Sequence, residues 1–158
     1  MLVGIGCDIH RLVTGRKLVL GGVRVEHESG LLGHSDGDVL LHAVSDAVLG
    51  ASAHGDIGEL FPDTDPQYKG ISSEVILGEA LSLAAERRLK VYNLDCIIFA
   101  EEPKLGPLKQ EIRAKLAELL SIQADRVNVK AKTMEGLGAI GSGEAIAAQA
   151  VVTLEESR

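Results

Sequence analysis

Three short stretches of the chain, residues 8–10, 34–42 and 133–135, carry side chains that could converge on one metal ion. Asp8 and His10 lie two residues apart in a predicted strand, so both side chains point to the same face. With His42 they supply one carboxylate and two imidazoles, a ligand set that suits zinc and leaves the fourth position open. An open position is what a catalytic metal requires.

His42 is predicted to lie on a helix that begins at Ser35 and runs to about residue 53. A metal-bound imidazole normally donates its second N–H to a carboxylate or a carbonyl. Asp38 lies one turn before His42 and Asp46 one turn after it, so either could accept that N–H. The alternative is that both are solvated helix charges.

The first turn of this helix would also offer free backbone N–H groups at His34 and Ser35, which predicts an anion site beside the metal. The chain carries a formal net charge of −7, so a phosphorylated substrate would need local positive charge. Zinc could supply part of it, and a hard ion such as Mg²⁺ could supply more, with Glu135 as a candidate ligand. By itself, Glu135 could equally be an ordinary surface glutamate.

Composition excludes several classes of function. Aromatic residues make up 3% of the 158 residues and tryptophan is absent, so the chain lacks stacking platforms for single-stranded nucleic acid. The negative charge argues against nucleic-acid and anionic-membrane partners. No apolar run reaches the ~18 residues of a membrane span, and no secretory signal is evident. Cys7 and Cys96 lie in apolar runs, which predicts buried, reduced thiols in a cytoplasmic protein.

Strands and helices alternate along the chain and predict a single α+β domain over residues 1–158. Its mixed sheet would have four strands, with helices packed on one face and a small β-hairpin beside them. The predicted strands are 2–9, 91–100, 127–132 and 145–154, the last of which could also be helical. The predicted helices are 35–53, 72–88 and 106–120. The hairpin is predicted at 17–26, and loops at 30–33 and 54–70.

The familiar nucleophile and phosphate-binding motifs are absent from the sequence: it has no Gly-x-Ser-x-Gly elbow, no Walker loop and no dinucleotide-binding glycine motif. If the protein is an enzyme, its nucleophile is therefore a metal-bound water or a group of the substrate. Five segments, in order and over nearly the whole chain, stand out as motifs: 6–10, 33–43, 55–58, 60–66 and 127–138. Together they resemble the 2-C-methyl-D-erythritol 2,4-cyclodiphosphate synthase family.

The resemblance implies a metal-dependent phosphorus–oxygen lyase of the non-mevalonate isoprenoid pathway. Its substrate would be 4-diphosphocytidyl-2-C-methyl-D-erythritol 2-phosphate, whose own 2-phosphate attacks the β-phosphate and releases CMP. This reaction agrees with the missing protein nucleophile. The resemblance also implies a homotrimer around a threefold core, with active sites between neighbouring subunits.

The resemblance also assigns roles to single residues. Asp8, His10 and His42 would hold one Zn²⁺ per subunit, and Glu135 would hold Mg²⁺ or Mn²⁺ with the diphosphate. His34 and Thr133 would stabilise the transition state. The implied substrate-binding residues are Asp8, His10, His34, Ser35, Asp56, Ile57, Gly58, Phe61, Pro62, Asp63, Thr64, Asp65, Ala100, Glu101, Glu102, Pro103, Lys104, Leu105, Gly106, Lys132, Thr133, Met134 and Glu135.

Two other classes of function remain open. A zinc-dependent phosphohydrolase would share the three zinc ligands but would not need a cytidine pocket. A non-catalytic trimeric metal-binding scaffold would need the metal only for assembly. The products of the reaction discriminate among the three.

Overall fold

Seven strands and five helices occupy residues 1–157, which are the residues that the structure, a computed structural model, describes. The strands are β1 (Leu2–Thr14), β2 (Leu18–Leu20), β3 (Val23–Val25), β4 (Ser29–Leu31), β5 (Leu89–Phe99), β6 (Val127–Lys132) and β7 (Ala145–Glu156). The helices are α1 (Val39–Ser52), α2 (Ile57–Leu60), α3 (Ser73–Glu86), α4 (Lys109–Leu119) and α5 (Gly138–Gly141). Among the described residues, no helix has both the length and the apolar character that crossing a bilayer requires.

The main sheet has five strands in the order β4-β1-β7-β5-β6, so the prediction of four strands was wrong. It is mixed, as predicted, because β5 and β6 are parallel while β1, β5 and β7 pair antiparallel. The additional strand is β4, which pairs with the end of β1 through Leu12 and Leu31. Three residues around Gly30 show no alternation of apolar and polar side chains, so the pattern indicated a loop. The predicted hairpin is confirmed as β2 and β3.

Helix α1 lies directly on β1 because two glycines remove the side chains between them. A Cβ atom at Gly4 would lie 1.9 Å from the Ala47 carbonyl oxygen, and one at Gly6 would lie 1.9 Å from the Ala43 carbonyl oxygen. Residues at even positions of a strand share one face, so Asp8 continues the row of Gly4 and Gly6 on the side of α1. This contact brings His42 on α1 next to the carboxylate of β1.

Helix α1 begins later than predicted. Its N-cap is Asp38, whose carboxylate accepts from the N–H groups of Leu40 and Leu41 at 3.2 and 3.1 Å, so the assignment of Ser35 as N-cap was wrong. Gly37 has φ 80°, a left-handed conformation that ends any helix running in from Ser35. His34 and Ser35 therefore lie in the loop before α1, and any anion that they bind would meet this loop and not the first turn of the helix.

On the face of the sheet opposite the helices, β1 presents an exposed apolar row. Val3, Ile5 and Ile9 on β1 are 66%, 70% and 56% exposed, and Val151 on β7 pairs with Ile5. Cys7 lies in the same row and is exposed, so its predicted burial was wrong for the single chain, whereas Cys96 is buried as predicted. An exposed apolar row of this kind is typical of a surface that another chain covers.

Candidate active site

Asp8, His10 and His42 converge at the edge of the contact between β1 and α1. The Oδ2 atom of Asp8 lies 2.8 Å from His10 Nε2 and 2.9 Å from His42 Nδ1. The two ring nitrogens are 3.1 Å apart. His42 is buried, and the side chains of Asp8 and His10 are 26% and 17% exposed. Three donor atoms therefore meet at one small, partly shielded point.

A backbone contact sets the tautomer of His10. Its Nδ1 atom lies 2.6 Å from the carbonyl oxygen of Leu32, which can only accept, so Nδ1 carries the hydrogen. In the neutral ring, Nε2 then presents its lone pair to Asp8 and His42. A carboxylate oxygen and an imidazole lone pair that face each other repel unless a proton or a metal ion lies between them.

The protonation equilibria of the cluster favour positive charge at this point. Burial works against the ionised form of Asp8, but hydrogen bonds with His10 and His42 outweigh it and hold the pKa of that carboxyl well below its usual range. Burial works against the charged form of His10 too, yet the hydrogen bond with Asp8 raises its pKa above the ordinary value. A metal ion supplies the same positive charge without a proton.

The donor set fits zinc in number and chemistry. Ligand atoms bound to a tetrahedral zinc at about 2.0–2.2 Å lie about 3.3–3.6 Å from one another, so an ion requires these three atoms to separate by about half an ångström. Among the described residues, this trio is the group of histidine, cysteine and acidic side chains whose ligand atoms come close enough to hold a metal. Three protein ligands leave a fourth position for substrate.

Neither of the two acidic residues proposed as partners of His42 forms a hydrogen bond with its ring. Asp38 is buried, and it accepts from the backbone of Gly21 and Gly22 as well as from the first turn of α1. Burial raises the pKa of Asp38 to about 6. Asp46 accepts from the N–H of Ile57 at 2.8 Å and so ties α2 to α1. The partners of His42 are instead the hydroxyls of Ser35 and Ser73, each 3.0 Å from Nε2.

The cluster opens into a cavity of about 1030 Å³, large enough for a nucleotide-sized ligand. Many of the predicted site residues line it: Asp8, His10, His34, Ser35, His42, Ile57, Gly58, Phe61, Pro62, Asp63 and Asp65. Asp56 and Thr64 are adjacent to this lining without being part of it. Asp56 caps α2 by accepting from Glu59 N–H at 2.9 Å, and its side chain is exposed.

The remaining predicted residues form a separate patch at the ends of the parallel strands β5 and β6, defined here as residues 100–106 and 132–135. Its two segments are joined by the bond from Ala100 N–H to the Lys132 carbonyl and by that from Met134 N–H to the Glu101 carboxylate, at 3.0 and 3.1 Å. Thr133 donates to Glu135 at 2.7 Å. No residue of this patch is among those that line the cavity beside Asp8, His10 and His42, which is called the metal cavity below. Within residues 1–157 of one chain, the predicted site residues therefore lie in two separate groups.

Arg16 is a cavity residue that sequence reasoning missed. It lines the cavity, and its Nη2 atom donates to the carbonyl oxygen of Ser35 at 3.2 Å. Its positive charge also acts against protonation of His10. The sequence does contain a signal for Arg16. It is a cation six residues after His10, in an acidic chain whose expected ligand is an anion.

Comparisons with known proteins agree with this geometry. The model of the YgbB family matches residues 1–155. The 2-C-methyl-D-erythritol 2,4-cyclodiphosphate synthase of Alkaliphilus metalliredigens is 55% identical over 157 residues, 99% of each chain. The enzyme of the same name from Geobacter metallireducens is 57% identical over 155 residues, 98% of this chain and 99% of its own.

A solved structure of 2C-methyl-D-erythritol-2,4-cyclodiphosphate synthase in its CDP-bound form has the same fold. It superimposes with a TM-score of 0.89 at 42% identity, over 97% of this chain and 99% of that one. A cluster of three side chains that could hold a metal beside a nucleotide-sized cavity, the family match over nearly the whole length and relatives more than half identical all point the same way. The chain belongs to the YgbB family, whose members similar to it are 2-C-methyl-D-erythritol 2,4-cyclodiphosphate synthases.

Proposed function

We propose that this chain converts 4-diphosphocytidyl-2-C-methyl-D-erythritol 2-phosphate to 2-C-methyl-D-erythritol 2,4-cyclodiphosphate and CMP, in the non-mevalonate isoprenoid pathway. The observation that carries the proposal is the convergence of Asp8, His10 and His42 at the cavity, in a chain that matches its family from end to end. The 2-phosphate of the substrate attacks the β-phosphate of the same molecule, so no protein nucleophile is required.

The work of the protein in such a reaction is to bend the substrate and to neutralise charge. Asp8, His10 and His42 would hold zinc, which as a Lewis acid polarises a phosphoryl oxygen when bound. His34 and Ser35 line the cavity beside the cluster and are placed to donate to phosphate oxygens. The exposed carboxylate of Glu135 suits a hard ion, Mg²⁺ or Mn²⁺, that accompanies the diphosphate.

The separation of the site into two parts supports an active site shared between subunits. His34 lines the metal cavity, while Thr133 lies in the patch of residues 100–106 and 132–135. We infer a homotrimer in which this patch on one subunit faces the metal cavity of its neighbour. The exposed apolar row of β1 supports this arrangement because a threefold contact would cover it.

The products decide between this function and its competitors. We expect ³¹P NMR of the reaction to show the cyclic diphosphate and CMP in equal amounts, and to show no turnover after zinc is removed with a chelator. Inorganic phosphate as the product would identify a phosphohydrolase instead. Binding of metal without any turnover would leave the non-catalytic scaffold. The match to the YgbB family and to synthases more than half identical favours the synthase over both competitors.

Mixing two inactive variants tests whether the site is shared. His42→Ala damages the metal cavity and Glu135→Ala damages the patch, so each homotrimer is impaired at every site. Co-expressed in equal amounts, the two chains should form mixed trimers in which about one quarter of the sites are intact, and should recover about that share of wild-type activity. Activity no higher than the mean of the two parents would place the whole site within one chain.

Replacement of Arg16 by glutamine should weaken substrate binding. A guanidinium that contacts a phosphate contributes about 1.5–3 kcal/mol, so we expect KM to rise about 10- to 100-fold with a smaller change in kcat. Arg24→Gln is the matched control, because Arg24 lies on the hairpin and pairs with Glu26 at 3.5 Å. Steady-state kinetics with equal KM values in the two variants would show that Arg16 does not contact the substrate.

A further inference from the structure

The buried side of His42 is held by hydroxyls. Nδ1 of His42 faces Asp8 and His10, and Nε2 lies 3.0 Å from the Oγ atoms of both Ser35 and Ser73. Ser73 is fully buried at the start of α3, and Ser35 is 7% exposed. His42 is itself only 6% exposed, so the choice between the two hydroxyls depends mainly on what else each of them contacts.

Asp36 sets the direction of the hydrogen bonds at Ser73. Its carboxylate accepts from the hydroxyl of Ser73 and, at 3.1 Å, from the backbone N–H of the same residue. A carboxylate has no hydrogen to donate, so the Ser73 hydroxyl must be the donor in this pair. That hydroxyl can then only accept from His42, which places the hydrogen of the imidazole on Nε2.

We propose that Ser73 and Asp36 are positioning residues that hold His42 in its metal-binding tautomer. The chain of donors runs from His42 Nε2–H to Ser73, and from the Ser73 hydroxyl to the Asp36 carboxylate. This arrangement leaves the Nδ1 lone pair of His42 directed at Asp8 and His10. The proposed function requires the zinc ion at that point, so the inference rests on the proposed metal site. A carboxylate that acts through a hydroxyl also makes the imidazole a stronger ligand.

The same arrangement assigns a different task to Ser35. Its Oγ atom accepts from the N–H of Gly37 at 3.0 Å, and its side chain lines the cavity. Because Ser73 accepts the hydrogen of His42, the Ser35 hydroxyl is left to donate either to Ser73 Oγ, 3.4 Å away, or to an anionic ligand in the cavity. The two serines around one imidazole therefore divide their roles, Ser73 toward the metal ligand and Ser35 toward the phosphate.

Zinc affinity tests the hydrogen-bond chain from His42 through Ser73 to Asp36, called the relay below, without any need for turnover. Zinc-stripped protein is titrated with Zn²⁺ against a chromophoric chelator, for wild type, Ser73→Ala, Asp36→Asn and the double variant. We expect each single variant to bind zinc about 10- to 100-fold more weakly than wild type. The double variant should be no weaker than Ser73→Ala alone, because Asp36 acts through Ser73. Ser45→Ala is the control, since Ser45 is equally buried but donates to the Leu41 carbonyl.

The outcomes separate the relay from the metal site itself. If wild type and Ser45→Ala bind zinc tightly and Ser73→Ala binds it equally well, the relay is overturned while the metal site stands. Additive losses in the double variant would overturn the coupling of Asp36 through Ser73. If wild type binds no zinc, the metal site and the relay fall together. Thermal unfolding identifies a variant that does not fold, in which case the other single variant decides.

Discussion

Replacement of His42 by alanine is expected to remove the metal and to lower activity by about 10³-fold or more. A bound zinc ion contributes several kcal/mol to stabilisation of a phosphoryl transition state, and each 1.36 kcal/mol corresponds to a factor of ten in rate. His42 supplies one of three ligand atoms that lie within 3.1 Å of one another, and two ligands hold zinc far more weakly than three. Metal content by atomic absorption and ³¹P kinetics measure both effects.

Two comparisons make this result specific. His54→Ala removes a histidine that contacts Ser52 and does not line the cavity, so that variant should keep its zinc and its activity. Zinc-stripped wild type should unfold at nearly the same temperature as His42→Ala if the loss of the ion is the main consequence of the substitution. Stoichiometric zinc in purified His42→Ala would remove His42 from the ligand set.

Replacement of Gly6 by alanine should damage the metal site from a distance. The added Cβ atom would lie 1.9 Å from the carbonyl oxygen of Ala43, which is backbone of α1 and cannot rotate away. Helix α1 must therefore move off β1 and carry His42 away from Asp8. We expect a loss of about 1–3 kcal/mol in the free energy of unfolding and a fall of at least tenfold in zinc affinity.

Gly78→Ala is the matched control for this change. Gly78 lies within α3, and a Cβ atom there would meet nothing within 4 Å. Alanine should stabilise that helix by about 0.5–1 kcal/mol and leave zinc binding unchanged. A Gly6→Ala protein with wild-type stability and wild-type zinc affinity would show that the close contact between β1 and α1 does not position the metal ligands.

The main elements of the fold could be predicted from local patterns because most are long enough to show a period. The strands at β5, β6 and β7 and the helices at α3 and α4 are where the alternation and the helical spacing predicted them. The fifth strand could not be predicted, because Ser29–Leu31 is too short to alternate and depends on pairing with β1. The start of α1 was misplaced because Gly37 interrupts the turn between Ser35 and Asp38.

The grouping of Asp8, His10 and His42 could be anticipated from residue types and from the resemblance, but the contacts behind it could not. The partners of His42 were expected among the acidic residues one turn away, yet the ring points off that face of α1 toward Ser73, which is 31 residues later in the chain. The exposure of Cys7 was missed for a related reason. An apolar run does not reveal whether both of its faces are covered within one chain or only by a second one.

Asp8, His10 and His42 are expected to bind one divalent ion in each chain, and anomalous diffraction is the measurement that tests this. Crystals grown with zinc should show an anomalous peak, on the high-energy side of the zinc edge only, about 2.0–2.2 Å from Asp8 Oδ2, His10 Nε2 and His42 Nδ1. No peak among these three atoms, with the side chains turned away from one another, would contradict the account.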